Sequence, residues 1–226
     1  MDGQPLSLVE VEAEEEHTST VIWLHGLGAS GHDFESLVPL LGLPNTRFVF
    51  PHAPVMAVTI NMGFRMRAWY DILTLEWDSE GREDEESILA SAKLVDDLLK
   101  TELSRGIPSH KVVLAGFSQG GALALHNGLR YPEKLAGIMV LSAYELRSDS
   151  LESEASIENS ETPMLFCHGR FDDMVPVQMG RAAHARMTES REAVSMREFN
   201  MGHEVIMPEI AAIGEWLAEV INRPGQ

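Results

Sequence analysis

Gly116-Phe117-Ser118-Gln119-Gly120 spells G-x-S-x-G. The apolar run 111–115 precedes it and the small-residue run 121–125 follows it. Between a strand and a helix, this pentapeptide makes a sharp bend that lifts the serine hydroxyl above a sheet. The glycines two residues either side are needed because a Cβ there would meet the neighbouring strand and helix. A serine hydroxyl is inert at neutral pH, so the motif carries chemistry only with a base and an orienting acid.

Both partners stand downstream, in the chain order Ser, acid, His of this type of elbow. The apolar run 163–167 is followed by His168-Gly169-Arg170-Phe171-Asp172-Asp173, and the alternating run 194–199 by Asn200-Met201-Gly202-His203. Sites in parallel α/β sheets form at the carboxyl ends of strands, where both stretches fall. His203 is expected to take the Ser118 proton, and an aspartate to hold its imidazole. Spacing does not choose between Asp172 and Asp173; the other would be a surface carboxylate or a helix cap. An oxyanion hole needs two backbone N–H groups. The predicted donors are Gln119, after the nucleophile, and Leu27, in the loop His25-Gly26-Leu27-Gly28. His25 and His168 also end apolar runs, but neither follows the acid, and both read as loop braces. Cys167 reads as a small buried hydrophobe. No spacing suggests a metal site.

These residues need a scaffold. Apolar runs at 6–11, 20–24, 47–51, 111–115, 137–141, 163–167 and 194–199 read as strands. Helices are predicted over 33–41, 84–105, 121–130, 177–189 and 204–220. The acidic start of the second, Glu83-Asp84-Glu85-Glu86, suits the positive end of a helix dipole. Alternating strands and helices imply an α/β chain with a mostly parallel central sheet and helices on both faces. Residues 55–77 read as a long loop with short strand pieces, and 145–161 as an acidic surface loop, mobile or partly helical. The whole chain, 1–226, reads as one domain.

The net charge of −18 comes from 35 acidic against 17 basic residues. It argues against nucleic acid and against docking on anionic lipid. The lone cysteine precludes an internal disulfide and fits a reducing compartment. No basic leader and no apolar run of about 20 residues is read, so a soluble, cytoplasmic chain is expected.

Six pieces, in order, carry a family resemblance: Leu24-His25-Gly26-Leu27-Gly28, Pro51-His52-Ala53-Pro54, Trp69-Tyr70-Asp71, Gly116 to Gly121, His168-Gly169 with Asp172 and Val175-Pro176, and Met201-Gly202-His203-Glu204. Together the chain resembles the phospholipase/carboxylesterase family of α/β hydrolases, which includes acyl-protein thioesterases, and most of all its bacterial carboxylesterase branch. The resemblance implies the α/β-hydrolase fold, no cofactor, and Asp172 as the acid. It also implies an apolar lid-like loop over an acyl site, at 60–77. Met66, Leu73, Leu75, Trp77 and Val175 are the candidate substrate contacts. A homodimer is compatible with it. The acidic 145–161 segment and Glu14-Glu15-Glu16 depart from the family pattern.

The leading expectation is therefore a serine carboxylesterase that works through an acyl-enzyme. An acyl-protein thioesterase or lysophospholipase is the alternative. A peptidase or lactone hydrolase on the same fold is an enzyme-class rival, and a non-catalytic binding module is a weaker reading, because all three triad members are present.

Overall fold

The computed structural model describes residues 5–77 and 79–223. Residues 1–4, read above as carrying no leader, lie outside the described residues, as do Asp78 and 224–226.

The apolar runs become a seven-stranded sheet: β1 (Leu8–Val11), β2 (Ser19–Leu24), β3 (Thr46–Pro51), β6 (Val112–Phe117), β7 (Gly137–Leu141), β8 (Met164–Gly169) and β9 (Val194–Phe199). A hairpin, β4 (Val55–Val58) and β5 (Phe64–Arg67), stands apart from it. The order across the sheet is β1-β3-β2-β6-β7-β8-β9, with only β1 antiparallel to its neighbour. Helices cover both faces, as the near-continuous apolar strands require. Val112, Leu114, Ile138, Val140 and Phe166 face α2 (Glu85–Ser104), α3 (Gln119–Arg130) and α5 (Val177–Thr188). Val113, Ala115, Met139, Leu165 and Cys167 face α6 (Met207–Ile221). This is the α/β-hydrolase architecture.

The sheet order reverses at β2 and β6. After β2 the chain moves outward to β3, whereas after β6 it moves the other way to β7 and β8. The loops leaving β2 and β6 therefore part, and a crevice opens above their carboxyl ends. Next along, β8 and β9 pair in parallel with Gly169 opposite Phe199. Their loops are stitched together by Arg170 N–H to the Phe199 carbonyl (2.8 Å) and Phe171 N–H to the Met201 carbonyl (3.1 Å).

Two elements differ from the sequence expectation, and a third follows one of its two readings. The helix expected over 33–41 is broken into two 3-10 turns and a short α1 (Val38–Leu41). Pro39 is the cause, since its ring excludes a helical bond to the Glu35 carbonyl. Ser30, not Asp33, begins the segment, with a reciprocal capping box to Asp33. The last helix starts at Met207 rather than 204, with Pro208 in its first turn, where a missing N–H costs nothing. The acidic 145–161 segment is partly helical, with α4 at Leu151–Glu154. It is also anchored. Leu146 and Leu151 are buried, and Asn159 accepts from Leu135 N–H while donating to the Tyr131 and Glu133 carbonyls.

Glu209, in the first turn of α6, is wholly buried, and neither oxygen has a well-formed hydrogen-bond partner. Burial, weakly opposed by the Ile206 backbone, pushes its pKa from an ordinary 4.5 up to about 8. Between those values the folded chain holds a proton that the unfolded chain has released, so stability falls as pH rises through that window. Glu209→Gln removes this dependence. In urea unfolding the variant should match the wild type near pH 5 and exceed it near pH 8 by roughly 1–3 kcal/mol. An equal offset at both pH values would contradict this.

Candidate active site

The turn from β6 into α3 is tight. Gly116 and Gly120 sit so close that a Cβ on Gly116 would overlap the Gly120 carbonyl, and a Cβ on Gly120 would overlap the Leu24 and His25 carbonyls. Between them Ser118 takes φ 53° and ψ −122°, a backbone region that non-glycine residues rarely occupy. Its N–H donates to the Leu141 carbonyl (2.8 Å), and its own carbonyl accepts Ala122 N–H, the first helical bond of α3. The strain is thus held from both sides, and Oγ stands at the crevice.

The structure brings Ser118, His203 and Asp172 together. Ser118 Oγ lies 2.9 Å from His203 Nε2, and His203 Nδ1 lies 2.7 Å from Asp172 Oδ2. Asp172 is buried, which opposes its charge. The hydrogen bond from His203 and those from the N–H groups of Val175 (2.8 Å) and Met174 (3.0 Å) outweigh that, holding its carboxyl below the ordinary range. The Phe117 ring packs against the His203 ring, centroids 4.7 Å apart. Asp173 is exposed, and Pro176 occupies the cap position of α5 without a side-chain cap, so Asp173 caps nothing.

Neither rival histidine is free. His25 Nε2 accepts Ala53 N–H (3.0 Å), so Nδ1–H donates to the Gly26 carbonyl (2.7 Å). Burial lowers its pKa. His168 Nε2 donates to the Val175 carbonyl (2.8 Å) and lies 3.6 Å from Asp172 Oδ2. Its Nδ1 occupies the space that a side chain at position 180 would fill, and Gly180 leaves it open. His168 thus holds the carbonyl of the same residue, Val175, whose N–H binds the acid, a contact that sequence reasoning saw only as a loop brace.

The candidate oxyanion donors flank the serine. Gln119 is the first residue of α3, where helix geometry leaves N–H groups without intrahelical partners. The loop with half-buried Leu27 lies against the elbow; a Cβ on Gly26 would come 3.4 Å from Ser118 Cβ.

The candidate substrate contacts differ in exposure and in what they touch. Met66, half-buried on β5, approaches the loop that carries Leu27, its Sδ 3.6 Å from where a Gly28 Cβ would be. Val175 is buried and serves Asp172 through its N–H. Leu73 and Leu75 are exposed. Trp77 meets Tyr144 edge-on, with the Arg82 guanidinium 3.8 Å above its ring. Behind them the Tyr70 and Tyr144 hydroxyls pair at 2.9 Å. Sequence reasoning missed this cluster, because nothing marks Arg82, inside an acidic run, as a buried residue. The 60–77 segment is stapled at its base: Asp71 accepts from Thr59 N–H (2.7 Å) and Thr59 Oγ1 (2.6 Å). Among the described residues, no group of three or more His, Cys, Asp or Glu is arranged to hold a metal ion, and no helix is long and apolar enough to cross a membrane.

The family model for phospholipase/carboxylesterase matches residues 7–221. The chain belongs to that family. Acyl-protein thioesterase 1 of Neurospora crassa is 37% identical over 220 residues, covering 92% of this chain and 89% of its own. The crystal structure of Arabidopsis thaliana SOBER1 superposes with a TM-score of 0.85 at 33% identity, covering 91% of this chain and all of its own. That of Zea mays acyl-protein thioesterase 2 gives 0.86 at 30% identity, covering 96% and 99%. As a member of this family the chain is a serine hydrolase that acts on ester bonds.

The two aspartates offer a direct check on the site. Asp172→Asn should reduce kcat by about 10³–10⁴-fold, because the amide favours the wrong imidazole tautomer. Asp173→Asn, at an exposed position, should leave kcat near wild type. Steady-state rates on p-nitrophenyl acetate decide it, and the reverse ranking would overturn the choice of acid.

Proposed function

We propose that the chain is a thioesterase that removes acyl groups from S-acylated proteins, with Ser118, His203 and Asp172 as its triad. The observation that carries the triad is the unbroken hydrogen-bond chain from Asp172 Oδ2 through the His203 ring to Ser118 Oγ. The carboxylester reading stood first on sequence. The likeness to acyl-protein thioesterases over nearly the full length of both chains supports the thioester reading better.

In the proposed reaction Ser118 Oγ attacks the acyl carbonyl as His203 Nε2 takes its proton. The carbonyl oxygen becomes an oxyanion, held by the N–H groups of Leu27 and Gln119. Asp172 stabilises the imidazolium without taking its proton. The tetrahedral species collapses, the C–S bond breaks, and the imidazolium protonates the leaving thiolate. Water then attacks the acyl-enzyme, giving a proton to His203. The C–O bond to Ser118 breaks, Oγ recovers the proton, and a carboxylic acid leaves. The half-buried methionines Met56 and Met66 in the hairpin suit a flexible chain near the serine.

The test has two arms. A fluorophosphonate should label Ser118 stoichiometrically, and Ser118→Ala should abolish labelling without loss of fold; unlabelled, well-folded protein would sink the esterase reading. The other arm compares an S-acylcysteine peptide with its O-acylserine counterpart and with p-nitrophenyl esters of increasing length. A higher kcat/KM on the S-acyl peptide is expected. A preference for short aryl esters, with the S-acyl peptide inert, would restore the carboxylesterase reading.

A further inference from the structure

The Gln119 side chain is almost fully buried, and the chemistry above uses only its backbone N–H. Both polar ends of that side chain are engaged. Oε1 accepts the Trp69 N–H at 2.8 Å, and Nε2 donates to the Tyr70 carbonyl at 2.7 Å. Trp69 is itself wholly buried and sends its indole Nε1–H to the His25 carbonyl at 2.8 Å. The Trp69 carbonyl accepts from Ser91 Oγ, which fixes that residue from behind. Gly120, the next residue of the elbow, is packed directly on the same His25 carbonyl. The His25 ring then spans from the Gly26 carbonyl to Ala53 N–H. The peptide leading into Gly26-Leu27 is therefore held by an indole, and the residue carrying that indole is held by Gln119.

We propose that the Gln119 side chain is a positioning residue that sets the spacing of the oxyanion hole. One residue supplies a donor from its backbone. Through Trp69 and His25 its side chain also fixes the loop that carries the other donor, Leu27. The inference rests on the acyl-transfer reading of Ser118. Its physical basis is that such a hole works by preorganisation: donors must already stand where the oxyanion will form. A donor displaced by a fraction of an ångström binds the ground-state carbonyl about as well and the tetrahedral oxyanion worse. A side chain of equal volume without polar atoms fills the space but leaves the Trp69 N–H and Tyr70 carbonyl unpaired, freeing the segment to shift.

The test uses Gln119→Met and Trp69→Phe, each normalised to active sites titrated with a fluorophosphonate. Two quantities are measured: the pH profile of kcat/KM on p-nitrophenyl acetate, and inhibition by an aryl trifluoromethyl ketone. The ketone forms a hemiketal with Ser118 whose oxyanion fills the hole. In Gln119→Met both kcat/KM and ketone affinity should fall together, by about ten- to hundredfold. The acid limb of the pH profile, set by the His203–Asp172 pair, should keep its midpoint. Trp69→Phe, which keeps both Gln119 hydrogen bonds but loses the bond to His25, should fall in the same direction by less. Lost kcat/KM with unchanged ketone affinity would overturn the inference, as would a shifted acid limb. If Gln119→Met fails to fold, wild-type ketone affinity in Trp69→Phe would overturn the relay by itself. If the wild-type enzyme takes no fluorophosphonate, the acyl-transfer reading fails and this inference with it. An active wild type with unaffected variants refutes the inference alone.

Discussion

The close approach of β6 and α3 at Gly116 and Gly120 governs the rest of the structure. No side chain fits on either residue, because Gly116 faces the Gly120 carbonyl and Gly120 faces the carbonyls at the end of β2. That contact lets the chain reverse from strand to helix within one residue and forces Ser118 to positive φ. The cost of that conformation, of order 1–3 kcal/mol, is offset by the buried sheet and helix on either side. Because Gly120 rests on the carbonyls of Leu24 and His25, the elbow also sets where β2 ends. The β2 loop and the start of α3 consequently share one boundary, and the crevice forms along it.

The three histidines at strand ends show how their neighbours separate similar residues. His25 has both ring nitrogens committed, one to Ala53 N–H and one to the Gly26 carbonyl. His168 is packed on Gly180 and donates to the Val175 carbonyl. Burial disfavours the charged form of both. Only His203, of the three, presents a ring nitrogen to the serine while the other faces a carboxylate. Of these rings, one alone is placed to exchange a proton with Ser118.

The strand–turn–helix around Ser118, the order of acid and histidine, and the strand-end loops were legible because each depends on local sequence: glycine spacing, apolar runs, chain order. The break at Pro39 was legible in principle, yet the apolar run through Leu37, Val38, Leu40 and Leu41 hid it. Other features arise only on folding. Arg82 looks like one charge in an acidic run, and nothing local reveals that it will lie buried against Trp77 and Tyr144. The polar side chain of Gln119 reads as an arbitrary residue between Ser118 and Gly120; its partners are about fifty positions away in sequence. The surroundings of the candidate substrate contacts were least legible, since an apolar residue in a loop has no periodicity to say which way it turns. Leu73 and Leu75 turn outward, and Trp77 turns toward Tyr144.

The parallel pairing of β8 with β9, Gly169 opposite Phe199, has a consequence for how this protein can fail. The carboxylate and the imidazole ride on the ends of those two strands, 2.7 Å apart. Sliding β9 by one residue would turn its inward side chains outward, and sliding it by two would carry the imidazole about 6–7 Å from its acid. Neither slip leaves the two side chains in contact. The hydrogen-bonded pair therefore acts as a gauge of strand alignment. One contact between two side chains thus registers the threading of two whole strands.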